Sequence, residues 1–150
     1  EPNPDPLGLP DAILIRPTVV AAVDSMAFEV ALNNLVDNAI QHTAEGGDIR
    51  IALSSDGDSV FVSVEDSGEG IAEEHQSRVF ERFFRVDTSR ERRRGGSGLG
   101  LAVVKHLVMA HRGEVSLRSQ AGEGSVFSIR IPVRQGAKNA EETALQTEKT

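Results

Sequence analysis

Apolar residues recur along the chain at two different periods, and these periods predict the order of helices and strands. From residue 24 to 43 they return every three or four positions, which predicts an amphipathic helix capped by Asp24. The same helical period predicts a second helix over 99–110, and it predicts a third over 72–84, at least in its first turns.

Shorter apolar runs rich in β-branched residues predict strands. Segment 13–23, which Pro17 interrupts, predicts one or two edge strands. Four further strands, joined in pairs by turn residues, are predicted at 49–53, 60–64, 115–119 and 125–133. Hairpin neighbours dominate, and regular strand–helix alternation is missing. The predicted fold is therefore α+β, a two-layer α/β sandwich with helices on one face of a mixed, mostly antiparallel sheet.

Composition limits the classes of protein that this chain can represent. The 150 residues are 39% apolar and 26% charged, with a net charge of −7 and no cysteine. These values predict one globular domain over 12–135, and they exclude disulfide scaffolds, thiolate zinc sites and cysteine nucleophiles. The acidic balance disfavours nucleic acid as a partner, and no apolar run reaches the roughly 20 residues of a membrane helix. Residues 1–11 predict a proline-rich linker, and 136–150 predict a disordered polar tail.

The first predicted helix carries an unusual polar stripe. Asn34, Asn38 and His42 lie four residues apart and therefore share one side of the helix. Asparagine is a mediocre helix former, so this side is either a solvated face or a set of oxygen ligands for a hard cation. Because Mg²⁺ prefers oxygen donors and is commonly shared with substrate phosphates, the second interpretation predicts a site for metal and phosphate.

Two glycine-rich turns add candidate ligand contacts. Residues 66–71 (DSGEGI) follow a predicted strand, and a buried Asp66 carboxylate would accept a hydrogen bond from an amino group such as that of adenine. An ordinary capped turn is the commoner origin of such a motif. Residues 95–101 (GGSGLGL) open the predicted 99–110 helix, where free amides favour an anion such as phosphate. Their spacing matches neither GxGxxG nor the P-loop.

A basic segment separates these two turns. Residues 78–94 contain seven arginines against three acidic residues in an otherwise acidic chain. Arginine binds phosphate through a planar fork, so the cluster favours capture of a compact polyanion, although a solvated charge run is the simpler interpretation for 92–94. Phe80, Phe83 and Phe84 are expected to anchor this segment on the core.

Taken together, four segments resemble the sequence boxes of the ATP-binding catalytic domain of sensor histidine kinases, within the Bergerat superfamily of ATPases. They are NLVDNA at 34–39 (N box), DSGEGI at 66–71 (G1 box), VFERFFRVD at 79–87 (F box) and GSGLGL at 96–101 (G2 box). The boxes occur in the family's order, and the resemblance covers nearly all of 12–133.

The resemblance implies a Bergerat fold with ATP bound between the N-box helix and a mobile lid. It implies that Asn38 binds Mg²⁺, that Asn34 assists at the metal or phosphates, and that Asp66 accepts a hydrogen bond from the adenine amino group. Gly68 and Gly70 would let the base approach. The other implied binding residues are Gln41, His42, Ile71, Arg85, Ser97, Gly98, Leu99 and Gly100, with Arg85 reaching the γ-phosphate from the lid. No catalytic residue is assigned.

Two positions depart from the family pattern. Gln41 stands where the family usually has lysine or arginine. His42 stands where it often has tyrosine or phenylalanine, so an imidazole would stack on adenine.

The resemblance also implies partners. None of the four histidines lies in a phosphoacceptor motif, so the acceptor is expected on a separate dimerisation domain of the same kinase. A cognate response regulator and a membrane-anchored homodimeric parent, with this domain in the cytoplasm, are expected as well. The alternatives are another Bergerat ATPase or serine-directed anti-sigma kinase, a degenerate nucleotide-binding regulatory domain, and an interaction module that binds through its basic loop.

Overall fold

Capping and apolar spacing account for the first long helix. The computed structural model describes residues 23–86 and 96–133, and within them helix α1 spans Ser25–His42. Asp24 Oδ1 accepts hydrogen bonds from the backbone N–H groups of Met26 at 2.9 Å and Ala27 at 3.1 Å, as expected of an N-cap. The buried side chains Ala31, Leu35 and Ala39 lie four residues apart and face the core. The predicted helix and its cap are therefore confirmed.

Four antiparallel strands form one sheet beneath the helices. Strand β1 spans Ile49–Ser55, β2 Ser59–Asp66, β3 Glu114–Gln120 and β4 Gly124–Pro132, and their order in the sheet is β1-β2-β4-β3. The short helix α2 spans Glu73–Gln76, and helix α3 spans Gly100–Ala110. The predicted α+β sandwich with helices on one face is confirmed, and all four described strands pair in the antiparallel sense.

The core lies between the two long helices and the central strands. Leu35 from α1 and Val104 and Val108 from α3 pack with the alternate residues of β2 and β4. Phe127 and Ile129 of β4 are each 1% exposed. The register pairs Asp66, at the end of β2, with Ser125, near the start of β4. The end of the sheet where β2 finishes and β4 begins therefore carries polar residues directly beside this core.

The segment after α2 differs from its predicted helix. The helix over 72–84 was expected to persist at least through its first turns, but α2 ends at Gln76. The backbone then runs through short turns such as Glu81 N–H to the Arg78 carbonyl at 2.9 Å. Phe80 meets Phe127 edge-on at 6.0 Å between ring centroids, so the chain leaves the helix to place this ring on the core.

Several sequence predictions fall outside the described residues. They concern the predictions of a linker at 1–11, of edge strands over most of 13–23 and of a disordered tail at 136–150, and they also concern the arginine-rich sequence at 87–95. Among residues 23–86 and 96–133, no helix is both long and apolar enough to cross a membrane.

Truncation of Leu35, which is 0% exposed, tests this account of the core. Leu35→Ala should lower the free energy of unfolding by about 2–5 kcal/mol, because it removes buried methyl groups and leaves a cavity. Ile40→Ala on the same helix is the matched control: Ile40 is 58% exposed, and its loss should cost about 0.5 kcal/mol or less. Urea unfolding of both variants measures the difference, and equal losses would contradict the assigned core.

Candidate functional site

An open cleft lies between α1, the end of β2 and the N-terminus of α3. Its volume is about 320 Å³, which is in the range of small-molecule sites. Its walls include twelve of the thirteen residues that the sequence singled out: Asn34, Asn38, Gln41, His42, Asp66, Gly70, Ile71, Arg85, Ser97, Gly98, Leu99 and Gly100. Residues from four separate segments therefore meet in one cleft.

The thirteenth residue, Gly68, is not part of the cleft wall. A Cβ at this position would lie 2.2 Å from the His42 carbonyl oxygen, so glycine is required by the close approach of α1. Its backbone N–H donates to Asp66 Oδ1 at 2.9 Å. Gly68 thus contributes by holding the Asp66 carboxylate and by letting the end of α1 pack against the turn.

The α1 wall presents amide oxygens. Asn34 Nδ2 donates to the Val30 carbonyl at 2.8 Å, which leaves its Oδ1 as an acceptor. The first residue of α3 comes close to this oxygen, since a Cβ on Gly100 would lie 2.9 Å from it. Asn38 and Gln41 extend the same wall. Oxygen donors of the type that Mg²⁺ prefers therefore lie beside the N-terminus of α3.

Asp66 is the one ionisable residue among the buried polar residues of the described chain, and it is 4% exposed. Burial raises the pKa of this carboxyl from its ordinary value of 3.8, while the Gly68 N–H and the nearby His42 act in the opposite direction. A carboxylate has about four acceptor positions, so it retains capacity for a donor in the cleft. The pKa is raised because burial removes the water that would stabilise the charged carboxylate.

Ser125 is a cleft residue that the sequence interpretation missed. It is 6% exposed, lies beside Asp66 in the β2–β4 register, and lines the cleft. Its Oγ is 2.8 Å from Ser119 Oγ, which also accepts from the Ile71 N–H at 2.8 Å. The only sequence signal was the glycine pair at 122 and 124, which predicted a hairpin turn. Its position next to Asp66 follows from strand register.

The glycine-rich segment forms the opposite wall. Gly98 has a φ of +70°, and its carbonyl accepts the Phe83 N–H at 2.8 Å. Ser97 Oγ accepts the Leu99 N–H at 3.3 Å, so the hydroxyl still has a proton to donate. Helix α3 begins at Gly100, one residue later than predicted, and its first amides lack helical partners. This wall can therefore receive an anion.

The three phenylalanines of residues 80–84 have different surroundings. Phe80 and Phe84 pack against the core as expected, and the Arg78 guanidinium lies 4.6 Å from the centroid of the Phe84 ring. Phe83 does not anchor the segment on the core, because its side chain is 71% exposed and its backbone has a φ of 63°. Arg85, two residues on, lines the cleft.

Comparison with known proteins identifies the family to which the chain is similar. A family model described as histidine kinase-, DNA gyrase B-, and HSP90-like ATPase matches residues 23–135. The sensor-like histidine kinase SenX3 of Mycolicibacterium smegmatis is 50% identical over 109 residues, which cover 73% of this chain and 28% of that protein. The chain therefore spans less than a third of that relative's length.

Solved structures give the same result. The mycobacterial sensor histidine kinase MprB matches with a TM-score of 0.69 at 33% identity, over 76% of this chain and 77% of that chain. Full-length ShkA in complex with AMPPNP matches with a TM-score of 0.62 at 34% identity, over 71% of this chain and 21% of that chain.

The raised pKa of Asp66 predicts how stability depends on pH. A folded-state pKa above the unfolded value means that ionisation of Asp66 destabilises the fold as pH rises from about 3.8 through the raised pKa. Asp66→Asn should therefore raise the melting temperature at neutral pH, and this gain should shrink as pH falls. Thermal unfolding of both proteins over a pH series measures it.

Asp56 provides a control of opposite sign. Hydrogen bonds from the backbone N–H groups of Ser59 and Asp58 lower the pKa of Asp56 below 3.8. The ionised Asp56 carboxylate therefore stabilises the fold above pH 3.8, and this stabilisation is lost as pH falls through the lowered pKa. Asp56→Asn should lower the melting temperature at neutral pH, with a difference that fades in acid. A lower melting temperature for Asp66→Asn would contradict the account of Asp66.

Proposed function

The chain belongs to the family of histidine kinase-, DNA gyrase B- and HSP90-like ATPases, as an ATP-binding catalytic domain of the sensor histidine kinase type, and from this premise we propose that its cleft delivers the γ-phosphoryl group of Mg-ATP to a histidine on a separate domain. The observation that carries the proposal is the meeting of a buried carboxylate and a glycine-rich helix N-terminus in one cleft. The carboxylate can accept a hydrogen bond from the amino group of a nucleotide base, and the amides at the helix N-terminus can bind phosphate.

The Asp66 end of the cleft receives the adenine. The carboxylate accepts a hydrogen bond from the exocyclic amino group, and the two flanking walls hold the ring. Ile71 and the half-buried Phe84 supply apolar surface in the same cleft. A base without the amino group leaves the remaining acceptor capacity of this desolvated carboxylate unfilled, which makes the contact a source of specificity.

The phosphates lie at the other wall. Negative charge on the phosphates is stabilised by neutral hydrogen-bond donors. These are the backbone amides near Gly98, Leu99 and Gly100 and the Ser97 hydroxyl. Arg85 adds a positive charge to the same cleft. Gln41 is neutral where the family usually carries a cation, so Arg85 supplies more of the positive charge than is usual.

Asn38 would hold Mg²⁺ through its amide oxygen, and Asn34 would assist at the metal or at the phosphates. Neutral amides add no negative charge beside a triphosphate, and Mg²⁺ typically keeps several waters and binds through few protein ligands. A bound Mg²⁺ would supply positive charge that offsets the negative charge of the phosphates. The residues of this chain orient the nucleotide and stabilise its charge, and they do not remove the proton of the attacking histidine.

The partners follow from the same chemistry. The phosphoacceptor histidine belongs to a dimerisation domain of the parent kinase, and a response regulator then receives the phosphoryl group. The parent is a membrane-anchored homodimer in this proposal, with the present domain in the cytoplasm. The name histidine kinase among the relatives supports the reaction class.

Asn38→Ala should remove most of the dependence of ATP affinity on Mg²⁺, because it deletes the proposed metal ligand. Calorimetric titration with an ATP analogue, with and without Mg²⁺, measures this dependence. Asn33→Ala is the matched control, since Asn33 is exposed on α1 and does not line the cleft. An unchanged Mg²⁺ effect in Asn38→Ala would assign the metal to other ligands.

Phosphoryl transfer is tested by adding a histidine-containing dimerisation domain to this domain with radiolabelled Mg-ATP. We expect a phosphorylated dimerisation domain whose label is lost in acid and retained in base, which identifies phosphohistidine. Labelling that survives acid would instead identify a serine-directed kinase. Binding of ATP without transfer to any such domain would favour the regulatory alternative.

A further inference from the structure

An imidazole in the cleft is paired with a carboxylate outside it. His42 Nδ1 lies 3.0 Å from Glu69 Oε1, and the two side chains are 29% and 39% exposed. His42 belongs to the cleft wall, whereas Glu69 does not. Glu69 therefore contacts a side chain of the cleft wall, although its own side chain is not part of that wall.

The hydrogen-bonding chemistry of this pair determines the state of the ring. An ionised carboxylate accepts hydrogen bonds and donates none, so Nδ1 must carry the proton. In the neutral ring, Nε2 then holds a lone pair and acts as an acceptor. The carboxylate thus selects one tautomer and one orientation of the ring, as carboxylates do for histidines in metal and catalytic sites.

Glu69 is well placed for this role because its backbone is fixed. Its carbonyl accepts the Gly122 N–H at 2.6 Å, which ties it to the turn between β3 and β4. On one side, a Cβ on Gly68 would lie 2.2 Å from the His42 carbonyl, and on the other a Cβ on Gly70 would lie 2.0 Å from the Gln120 carbonyl. The turn is therefore packed between α1 and β3, and it presents the carboxylate from a rigid frame.

We propose that Glu69 is a positioning residue for nucleotide binding, which holds the His42 imidazole against the nucleoside portion of the ligand. This inference rests on the proposed nucleotide site. His42 lies at the end of α1 that packs on the Asp66–Gly70 turn, so it acts at the base and ribose and not at the phosphates. Phenylalanine at this position would have no N–H group to pair with an acceptor, so the proposed role of Glu69 depends on the histidine at residue 42.

A double-mutant cycle on ligand affinity tests this dependence. The variants are Glu69→Ala, His42→Phe and their combination, and the probes are ADP without Mg²⁺ and a non-hydrolysable ATP analogue with Mg²⁺. We expect Glu69→Ala to weaken the binding of both probes by the same factor, about three- to tenfold, because the imidazole loses the hydrogen bond that orients it before the ligand binds. In the His42→Phe background the same change should alter neither affinity by more than about 1.5-fold.

Two further variants control for charge and for geometry. Glu74→Ala removes a carboxylate that lies 3.3 Å from another imidazole, His75 Nε2, away from the cleft wall, and it should leave both affinities unchanged. Glu69→Gln keeps an acceptor oxygen and should recover part of the affinity lost in Glu69→Ala.

The state of the ring is measured directly by ¹⁵N NMR of the imidazole nitrogens. In the neutral His42 ring of the wild-type protein the proton should lie on Nδ1, and Glu69→Ala should remove this tautomer preference. This measurement needs no His42 variant. A wild-type ring protonated only on Nε2 would overturn the proposal. So would an equal effect of Glu69→Ala in both backgrounds, with the nucleotide site itself intact. Failure of the wild-type protein to bind either probe would instead overturn the proposed function, and this inference with it.

Discussion

The buried carboxylate of Asp66 is the constraint on which the rest of the site depends. Water is removed from an acid whose charged form prefers it, and burial raises its pKa as a result. Backbone N–H groups of Gly68 and Ser125 compensate only partly. The fold therefore carries an acceptor with unused capacity at the junction of β2 and β4. Such a group lowers the stability of the empty protein and becomes useful when a donor arrives in the cleft.

Several glycines around Asp66 are required because backbone segments pack too closely there to leave room for a Cβ. A Cβ on Gly124 would lie 2.0 Å from the Asp66 carbonyl oxygen, and the φ of Gly124 is +102°. Gly68 and Gly70 allow equally close contact with α1 and β3. The turn that carries Asp66 is thus held by three elements at once. The cleft wall at the N-terminus of α3 differs from this turn, because the first amides of the helix lack helical partners there.

The sequence predicted most of the framework because its signals were local and redundant. A cap at Asp24 and a repeated apolar spacing gave α1 within one residue, and the paired strands followed from alternation and turn residues. Features set by tertiary contacts were harder to predict. The segment after Gln76 leaves the helix because Phe80 packs on Phe127, and Ser125 enters the cleft only through its register with Asp66. The contact between His42 and Glu69 joins residues 27 positions apart, and no periodicity marks it.

The central claim is that Asp66 recognises an amino group on a nucleotide base. Calorimetric titration of the unmodified protein with ATP and with inosine triphosphate tests it most directly, because the two ligands differ only at one edge of the purine. Adenine has an amino group at C6 and a bare N1, whereas hypoxanthine has an oxygen at C6 and an N–H at N1. The account predicts that ATP binds and that inosine triphosphate binds about a hundredfold more weakly or worse, since two acceptors would face each other in a desolvated site. Equal affinity for the two nucleotides would contradict it.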